Sequence, residues 1–361
     1  MNPNKPFKDK ETTLKLSSTL EKVAHPDKVY KIMEVCGTHT MAIARNGIRN
    51  MLPKNVELIS GPGCPVCVSS QGEIDLFFDL IDKGAAVVTF GDLLRIPGSN
   101  GETLADKRAR GADVFVIYSP LDAIELAKKH SDKQLVFLGV GFETTVPTIG
   151  ALIMAAKEQN IKNLSVLSLC KTMPEAFDLI LSDKDIQVDG FLCPGHVTIV
   201  TGLDLYKPLI EANKAAVVAG FEPVEILDAI YEIIEQTNHN HFEIVNKYKR
   251  VVPDAGNAIA RSIIDKVFEP SDAVWRGIGK LEHSGLAIRD EYADFDAMKR
   301  FNLIPKDVHE IKGCKCGQVL TGKIKPEKCG LFGKRCTPEN PIGPCMVSSE
   351  GTCAAYYKYM R

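Results

Sequence analysis

Short apolar segments alternate with amphipathic helices along most of this 361-residue chain, and that alternation limits its fold more than any other feature. Predicted strands separated by helices of about 10–15 residues favour parallel βαβ units. The chain is therefore expected to have an α/β fold. The predicted strands cover residues 30–35, 55–60, 85–90, 134–140, 164–170, 188–193 and 215–221.

The predicted strands form two runs of similar build. The strand ending at Val35 has a counterpart ending at Val140, and the strand ending at Phe90 has one ending at Cys193. An ancient duplication and the general likeness of α/β domains both account for this, so we expect two similar parallel-sheet domains that face a cleft. The expected divisions are 1–27 for an N-terminal helical extension, 28–120 and 121–225 for the two α/β domains, and 226–361 for a smaller, mainly helical and irregular, Cys-rich domain.

Charge and hydropathy exclude several classes of protein. Lys and Arg number 44 against 46 Asp and Glu, so no net field recruits nucleic acid or anionic lipid. No apolar run reaches the roughly 20 residues that a membrane span needs. The polar start of the chain lacks the apolar core of a secretory signal. We expect a cytoplasmic protein that binds neither nucleic acid nor membrane.

The chain has 11 cysteines, and in a reducing compartment that number favours metal or redox chemistry over structural disulfides. Six of them lie in the last 48 residues, where the apolar periodicity is lost. Their irregular spacing and the scarcity of His favour a four-thiolate iron–sulfur cluster, with zinc as the alternative. The expected cluster ligands are Cys314, Cys329, Cys336 and Cys353, with Cys316 and Cys345 as alternatives.

Unusual motifs follow five of the predicted strands: CGTHT, GPGCPVC, GDLLRIPG, GFETT and CPGHVT. Ligands of open α/β sheets bind outside the carboxyl ends of the strands. If the two α/β domains face each other, these loops converge on one cleft.

Cys64 and Cys67 of GPGCPVC form a C-x-x-C pair, which can form a disulfide, bind a metal or exchange electrons. No second C-x-x-C pair completes a zinc site, so redox chemistry is favoured over structural zinc. Cys170, at the end of a strand, is interpreted as a packed thiol. Cys193 lies in a motif and is left undecided.

CGTHT places Cys36 and His39 three residues apart at a strand end. A thiolate and an imidazole can bind one iron or zinc there, with the Thr38 and Thr40 hydroxyls as supporting partners. A nucleophilic Cys–His pair is the competing functional interpretation. A polar turn that caps the following helix is the structural one.

GFETT and CPGHVT contribute Glu143, Thr144, Thr145 and His196, which can orient or protonate a small ligand. Glu143 also suits a structural role, because a carboxylate is favoured at a helix start. The segment GVGFET lacks the third glycine of a dinucleotide fingerprint, and the chain has no P-loop motif. Nucleotide binding therefore has no support.

Taken together, CGTHT, GPGCPVC, GFETT, CPGHVT and the tail CTPENPIGPCMVSSEGTCAAYYKY resemble the HypD family of nickel–iron hydrogenase maturation proteins. The resemblance spans residues 30–360 in family order. It implies a scaffold that works with a HypC-type small chaperone to build an iron carrying two cyanides and one carbon monoxide. A HypE-type partner would supply the cyanide from a thiocyanate, and the hydrogenase large subunit would receive the product.

The resemblance also implies roles for individual cysteines. Cys36 and His39 would lie at the iron site together with a HypC cysteine, Cys64 and Cys67 would be a redox pair, and the tail cysteines would hold a 4Fe–4S cluster. Such a protein is an assembly scaffold with redox activity rather than a conventional turnover enzyme, and we expect a monomer that pairs with its chaperone. The alternatives are a free-standing thiol–disulfide oxidoreductase of the ferredoxin–thioredoxin-reductase type and a structural zinc protein.

Overall fold

The computed structural model describes residues 5–183, 185–306 and 311–360, and these residues form an α/β fold. The strands are β1 (Tyr30–Glu34), β2 (Val56–Ser60), β3 (Ala86–Thr89), β4 (Val114–Val116), β5 (Leu135–Gly139), β6 (Leu164–Ser168), β7 (Gly190–Pro194), β8 (Ala215–Ala219), β9 (Ile244–Asn246), β10 (Phe268–Trp275) and β11 (Gly279–Ile288).

The helices connect and cover these strands. The α-helices are α1 (Lys10–Val23), α2 (Gly37–Arg45), α3 (Pro65–Val68), α4 (Gln71–Asp82), α5 (Leu104–Ala109), α6 (Asp122–Lys129), α7 (Val146–Glu158), α8 (Pro174–Ser182), α9 (Gly195–Thr201), α10 (Lys207–Glu211), α11 (Pro223–His239), α12 (Ala258–Val267), α13 (Ala297–Arg300), α14 (Cys316–Leu320), α15 (Pro344–Val347) and α16 (Thr352–Tyr359). Short 3₁₀ helices lie at Lys5–Lys8, Ile48–Met51, Gly91–Arg95, Leu203–Tyr206, Asp290–Phe295 and Pro326–Lys328. Among the described residues, no helix has the length and apolarity to cross a membrane.

Two parallel sheets form the body of the molecule. Sheet one has the strand order β2-β1-β7-β8-β9, and sheet two has the order β4-β3-β5-β6. Strands β10 and β11 form an antiparallel hairpin outside both sheets. The predicted α/β class with two parallel sheets and a smaller Cys-rich region is confirmed.

The sheets are intertwined along the chain, unlike the expected division at residue 120. Strands β1 and β2 belong to sheet one, but β3 and β4 cross to sheet two; β5 and β6 belong to sheet two, and β7 and β8 cross back. Strands β1, β2, β3 and β4 can be matched in order with β5, β6, β7 and β8. Exchanging each strand of sheet one for its match turns the order β2-β1-β7-β8 into β6-β5-β3-β4. This is the order of sheet two read from its other edge. Each sheet therefore combines strands from both runs, and sheet one also takes β9 from beyond residue 225.

Two local predictions were wrong. The loop expected at CGTHT is mostly the first turn of helix α2, which begins at Gly37. The domain 226–361, expected to be mainly helical and irregular, contains the β10–β11 hairpin. The hairpin lies over the end of β6, where the Ser168 hydroxyl donates to the Leu286 carbonyl over 2.7 Å. Contacts between residues far apart in sequence therefore decide the local structure here, whatever the helical periodicity of the segment.

The sheets share an apolar core that ends beneath the motifs. Buried side chains of sheet one, such as Met33 and Phe191, belong to the same cluster as Val136 and Leu138 of sheet two. Because each sheet is parallel, its carboxyl ends lie along one edge. The motifs of each sheet are thereby brought side by side, as expected from their position after the strands.

Candidate functional site

Cys36 lies at the carboxyl end of β1, where its extended backbone forms the N-cap of helix α2. The Thr40 amide donates to the Cys36 carbonyl over 3.0 Å, which closes the first helical turn. The side chain is buried. Burial, reinforced by the nearby Glu350 carboxylate, raises the pKa of the Cys36 thiol to about 12. The thiol is therefore protonated at neutral pH, and a metal that binds it must displace that proton.

The GPGCPVC motif packs directly on Cys36. The Gly37 amide donates to the Gly63 carbonyl over 3.0 Å, and a Cβ on Gly63 would collide with the Cys36 backbone. Only glycine fits this approach between the two loops. Cys64 and Cys67 form a disulfide with their Cα atoms 5.2 Å apart.

The disulfide spans one helical turn. Cys64 is the N-cap of the short helix α3, and its sulfur accepts the Cys67 amide over 3.2 Å. Pro65 occupies the first helical position, where its fixed φ is favourable and its missing N–H costs nothing. Both cysteines are buried, with Cys64 3% and Cys67 0% exposed. The Pro-Val sequence between them thus sets the C-x-x-C geometry.

A buried carboxylate ties the two cysteine loops together from below. Glu34 accepts hydrogen bonds from the Thr40 hydroxyl over 2.8 Å and from the Ser60 hydroxyl over 2.6 Å. Burial raises the pKa of Glu34 to about 7, although both hydroxyls act in the opposite direction. Thr40 therefore braces the start of α2 against the end of β2 rather than facing a ligand.

His39 points into the protein with 0% exposure. Its Nε2 donates to the Gly220 carbonyl over 2.9 Å, so this nitrogen carries the proton. Nδ1 has no partner among the described residues. Burial lowers the pKa of His39 to about 4, which keeps the ring neutral at neutral pH. A neutral imidazole with one free nitrogen is the form that binds metals.

The expected cleft motif after β7 lies close to this region. The Phe221 ring lies between two histidines, 4.6 Å from His39 and 4.3 Å from His196 by ring centroids. His196 is exposed at the start of α9. Thr144 is exposed and Thr145 is half-buried before α7. These side chains remain candidates for contact with a ligand.

Glu143 is buried at the end of β5. Its Oε1 accepts the Met173 amide over 2.8 Å, and Oε2 has no partner among the described residues. Burial raises the pKa of Glu143 to about 7.

Five tail cysteines line one small cavity with Gly343 and apolar neighbours. A Cβ on Gly343 would come 2.9 Å from the Cys314 sulfur and 3.2 Å from the Cys316 sulfur, so glycine leaves room for the sulfurs. The cavity cysteines are Cys314, Cys316, Cys329, Cys336 and Cys353.

Cys345 is fully buried beside this cavity, and its sulfur accepts the Cys353 amide over 3.2 Å. Within the described ranges, no three His, Cys, Asp or Glu side chains are arranged around a point that would hold a single metal ion. Thiolates are ligands of both iron–sulfur clusters and zinc, so these cysteines could hold either.

The segment 344–353 connects the tail cysteines to the two cysteine loops. The Ser348 hydroxyl lies 3.3 Å from the Cys64 sulfur. Glu350 Oε1 accepts the Thr38 hydroxyl over 2.5 Å. Cys345 and Cys353 flank these two residues in the sequence. The tail segment thus contacts both cysteine loops.

Several residues of this site escaped the sequence analysis. Ser348 and Glu350 lie in the tail motif but carry no spacing signal of their own. A buried ion pair joins Lys171 Nζ to Glu73 Oε1 over 2.7 Å, with side chains 1% and 9% exposed. It ties the end of β6 to helix α4. The available sequence signal for Glu350 was its position as a polar residue between Cys345 and Cys353.

The two cysteines outside the motif pairs are packed. Cys170 donates to the Gly139 carbonyl with a sulfur–oxygen distance of 3.3 Å. Cys193 is 0% exposed within the core. Burial raises the pKa of both thiols, to about 12 for Cys170. Both side chains are therefore neutral thiols in the apolar interior, as expected for Cys170.

Comparisons with known proteins agree with the motif resemblance. The HypD family model, described as "Hydrogenase formation hypA family", matches residues 11–360. Hydrogenase maturation factor HypD of Cupriavidus necator is 42% identical over 364 residues, covering 98% of this chain and 96% of that protein. HypD of Escherichia coli is 43% identical over 336 residues, covering 92% and 90%.

An archaeal relative extends the match. A putative hydrogenase expression/formation protein of Methanocaldococcus jannaschii is 42% identical over 355 residues, covering 98% of both chains. The match runs through both sheets and the tail cysteines. The chain belongs to the HypD family of hydrogenase formation proteins.

Proposed function

We propose that this protein is a hydrogenase maturation factor that acts as a scaffold, with a HypC-type chaperone, for building an iron with two cyanide ligands and one carbon monoxide. The observation that carries the proposal is the direct packing of the Cys36 loop on the Cys64–Cys67 loop. Both loops contact the segment between Cys345 and Cys353. Thiol, disulfide and tail cysteines are thereby available to one reaction.

Cys36 is the proposed anchor for the iron, which is the substrate of the assembly. A thiolate suits iron(II) that carries cyanide and carbon monoxide. Because the Cys36 thiol is protonated in the resting protein, iron binding releases a proton. His39 offers its free Nδ1 from beneath, and a cysteine of the HypC-type chaperone would supply a further sulfur. The exposed Thr144 and His196 are available to position the incoming ligands.

Cys64 and Cys67 are the proposed two-electron donor. A thiocyanate on a HypE-type partner, R–S–C≡N, needs two electrons and two protons to give R–SH and HCN. The reduced Cys64–Cys67 pair supplies both when its two S–H bonds are replaced by one S–S bond. The S–C bond of the thiocyanate breaks, and cyanide binds the iron with loss of its proton. The disulfide form seen here is then the product state of the pair.

The tail cysteines fit a 4Fe–4S cluster, and Cys314, Cys329, Cys336 and Cys353 would hold it, with Cys316 and Cys345 as alternatives. When bound, such a cluster would supply electrons singly to regenerate the dithiol. Ser348 braces the disulfide from the tail side, and Gly343 keeps space for the sulfurs. The completed iron group would pass to the hydrogenase large subunit. The proposed role is that of a scaffold in the cytoplasm rather than a turnover enzyme.

Infrared spectroscopy tests the proposal. The full chain is purified anaerobically with its HypC-type chaperone as wild type, as Cys36→Ala and as Cys170→Ala, a matched change at another buried thiol. We expect the bands of iron-bound cyanide and carbon monoxide in wild type and Cys170→Ala, and their loss in Cys36→Ala. Normal bands in Cys36→Ala would overturn the assignment of the anchor.

The burial of the disulfide argues against the free-standing oxidoreductase alternative. Cys64 and Cys67 are 3% and 0% exposed, so a small soluble disulfide has little access to them. A reduction assay with dithionitrobenzoate separates the two functions. A scaffold should be nearly inert, whereas an oxidoreductase should turn over without any partner.

A further inference from the structure

Arg276 is a buried cation at the turn of the β10–β11 hairpin, only 1% exposed although the next residue, Gly277, is exposed. Gly277, which follows it with a φ of 71°, packs so closely on Gly317 that neither has room for a Cβ. Gly317 directly follows Cys316. The hairpin turn is therefore pressed against the start of helix α14, at the edge of the tail cysteines.

The same residue grips the segment that follows the C-x-x-C pair. The Arg276 amide donates to the Val68 carbonyl over 2.7 Å. Its Nε donates to the Ser69 carbonyl over 2.9 Å, and a terminal nitrogen donates to Gln71 Oε1 over 3.1 Å. A guanidinium presents its donors in a rigid fork. Arg276 therefore fixes the exit of helix α3, which begins at the disulfide.

The guanidinium charge also acts on the tail cysteines. Arg276 directly precedes Gly277, and Gly277 packs on Gly317, which directly follows Cys316. The buried cation is therefore held next to the tail cysteines, where it would favour any added negative charge. Coulomb interactions are strong where water is excluded.

We propose that Arg276 is a positioning residue that couples the disulfide loop to the tail cysteines, holding the loop by its hydrogen bonds and favouring the reduced state of the tail centre by its charge. This inference rests on the proposed function, since it requires that the tail cysteines hold an iron–sulfur cluster. Reduction adds one electron, and the potential of such a centre follows its net charge, hydrogen bonds and exposure to solvent. A buried cation beside the centre raises that potential.

The test is a redox titration of the full chain, purified anaerobically and followed by electron paramagnetic resonance. Arg276→Gln removes the charge but keeps a polar side chain. Lys280→Gln is the matched control, because it removes one positive charge from the exposed part of the same hairpin. We expect Arg276→Gln to lower the equilibrium constant for one-electron reduction at least tenfold, which is a shift of about 59 mV to more negative potential. Lys280→Gln should leave the potential unchanged.

Arg276→Lys separates charge from mere packing. It restores the cation, so the potential should return to within about twofold of the wild-type equilibrium constant. If Arg276→Gln does not fold, this variant decides alone: a tenfold change in Arg276→Lys would overturn the role of the charge. Equal potentials in Arg276→Gln and Lys280→Gln would overturn it as well.

Metal analysis keeps this inference distinguishable from the proposed function. Wild-type protein without iron and sulfide would refute the cluster and, with it, both proposals. Wild-type protein with a cluster whose potential ignores Arg276 would refute only the coupling role.

Discussion

Gly63 packs on the backbone of Cys36 so tightly that a Cβ at residue 63 would collide with the Cys36 nitrogen and Cα. The contact is reinforced by the hydrogen bond from the Gly37 amide to the Gly63 carbonyl. It holds the thiol of one loop beside the disulfide of the next. The close approach of the two loops, on which the proposed chemistry depends, therefore requires glycine at residue 63.

Gly63→Ala should therefore push the two loops apart. Overpacking of this kind costs about 1–3 kcal/mol in the free energy of unfolding. Denaturant unfolding measures the cost, and the iron that copurifies with the chaperone complex reports the displacement of Cys36. Gly91→Ala is the control, because its Cβ would meet only Val116 at 3.8 Å. If both variants kept wild-type stability and iron content, the contact between Gly63 and Cys36 would contribute neither to stability nor to iron binding.

Glu143→Gln should change how stability depends on pH. Burial raises the folded pKa of Glu143 to about 7, above the 4.5 of a free Glu side chain, so the fold favours the protonated carboxyl. Its contribution is fully present below pH 4.5 and is lost as the pH rises through 7. Gln mimics the protonated carboxyl and does not ionise, so the Glu143→Gln variant does not lose this stability as the pH rises.

Urea unfolding at pH 5 and pH 8 measures the Glu143 effect. We expect the stability of Glu143→Gln relative to wild type to improve between these values, by up to about 3 kcal/mol. Glu34 and His39 titrate in both proteins and cancel in the comparison. A relative stability that stays constant with pH would contradict the raised pKa.

Lys171→Met should be strongly destabilising. It leaves the Glu73 carboxylate buried without its cation, and breaking a buried pair costs about 3–5 kcal/mol. Lys128→Met is the matched control: Lys128 pairs with Glu125 on an exposed helix surface, where such pairs contribute about 0.5 kcal/mol or less. Thermal or denaturant unfolding compares the two. Similar losses in both variants would show that the buried pair has no special role.

Gly343→Ala should impair cofactor binding at the tail cysteines. Its Cβ would enter the space beside the Cys314 and Cys316 sulfurs. Anaerobic analysis of the wild type should give about four irons with matching sulfide per chain, and the variant should give clearly less. Gly330→Ala is the control, since no atom lies within 4 Å of its Cβ position. About one zinc and no sulfide in the wild type would instead identify a structural zinc protein.

Local sequence patterns predicted the strands, the parallel sheets and the motifs at the strand ends. They predicted that the strand-end motifs converge, and the observed pairing of β1 with β2 brings the Cys36 and Cys64 loops together. They missed the exchange of strands between the sheets, since the partner of a strand such as β7 depends on packing across about 160 residues. Local periodicity holds no information on such a pairing.

The remaining misses have the same physical origin. Local patterns placed His39 after β1 but did not predict that α2 starts early and directs its Nε2 to the Gly220 carbonyl. Local patterns did not single out Arg276, which lies at a hairpin turn and yet is buried by the fold. Whether such a residue is buried depends on segments far away in sequence, and local patterns carry no information on them.

A single-turnover experiment tests most directly whether Cys64 and Cys67 supply the electrons for cyanide transfer. The prereduced, iron-loaded scaffold is mixed with a protein thiocyanate in the absence of other reductants. Free thiols are then alkylated and mapped by mass spectrometry, while infrared spectra count the cyanide on iron. The account predicts one Cys64–Cys67 disulfide formed for each cyanide transferred. Cyanide on the iron with both cysteines still alkylatable as thiols would contradict it.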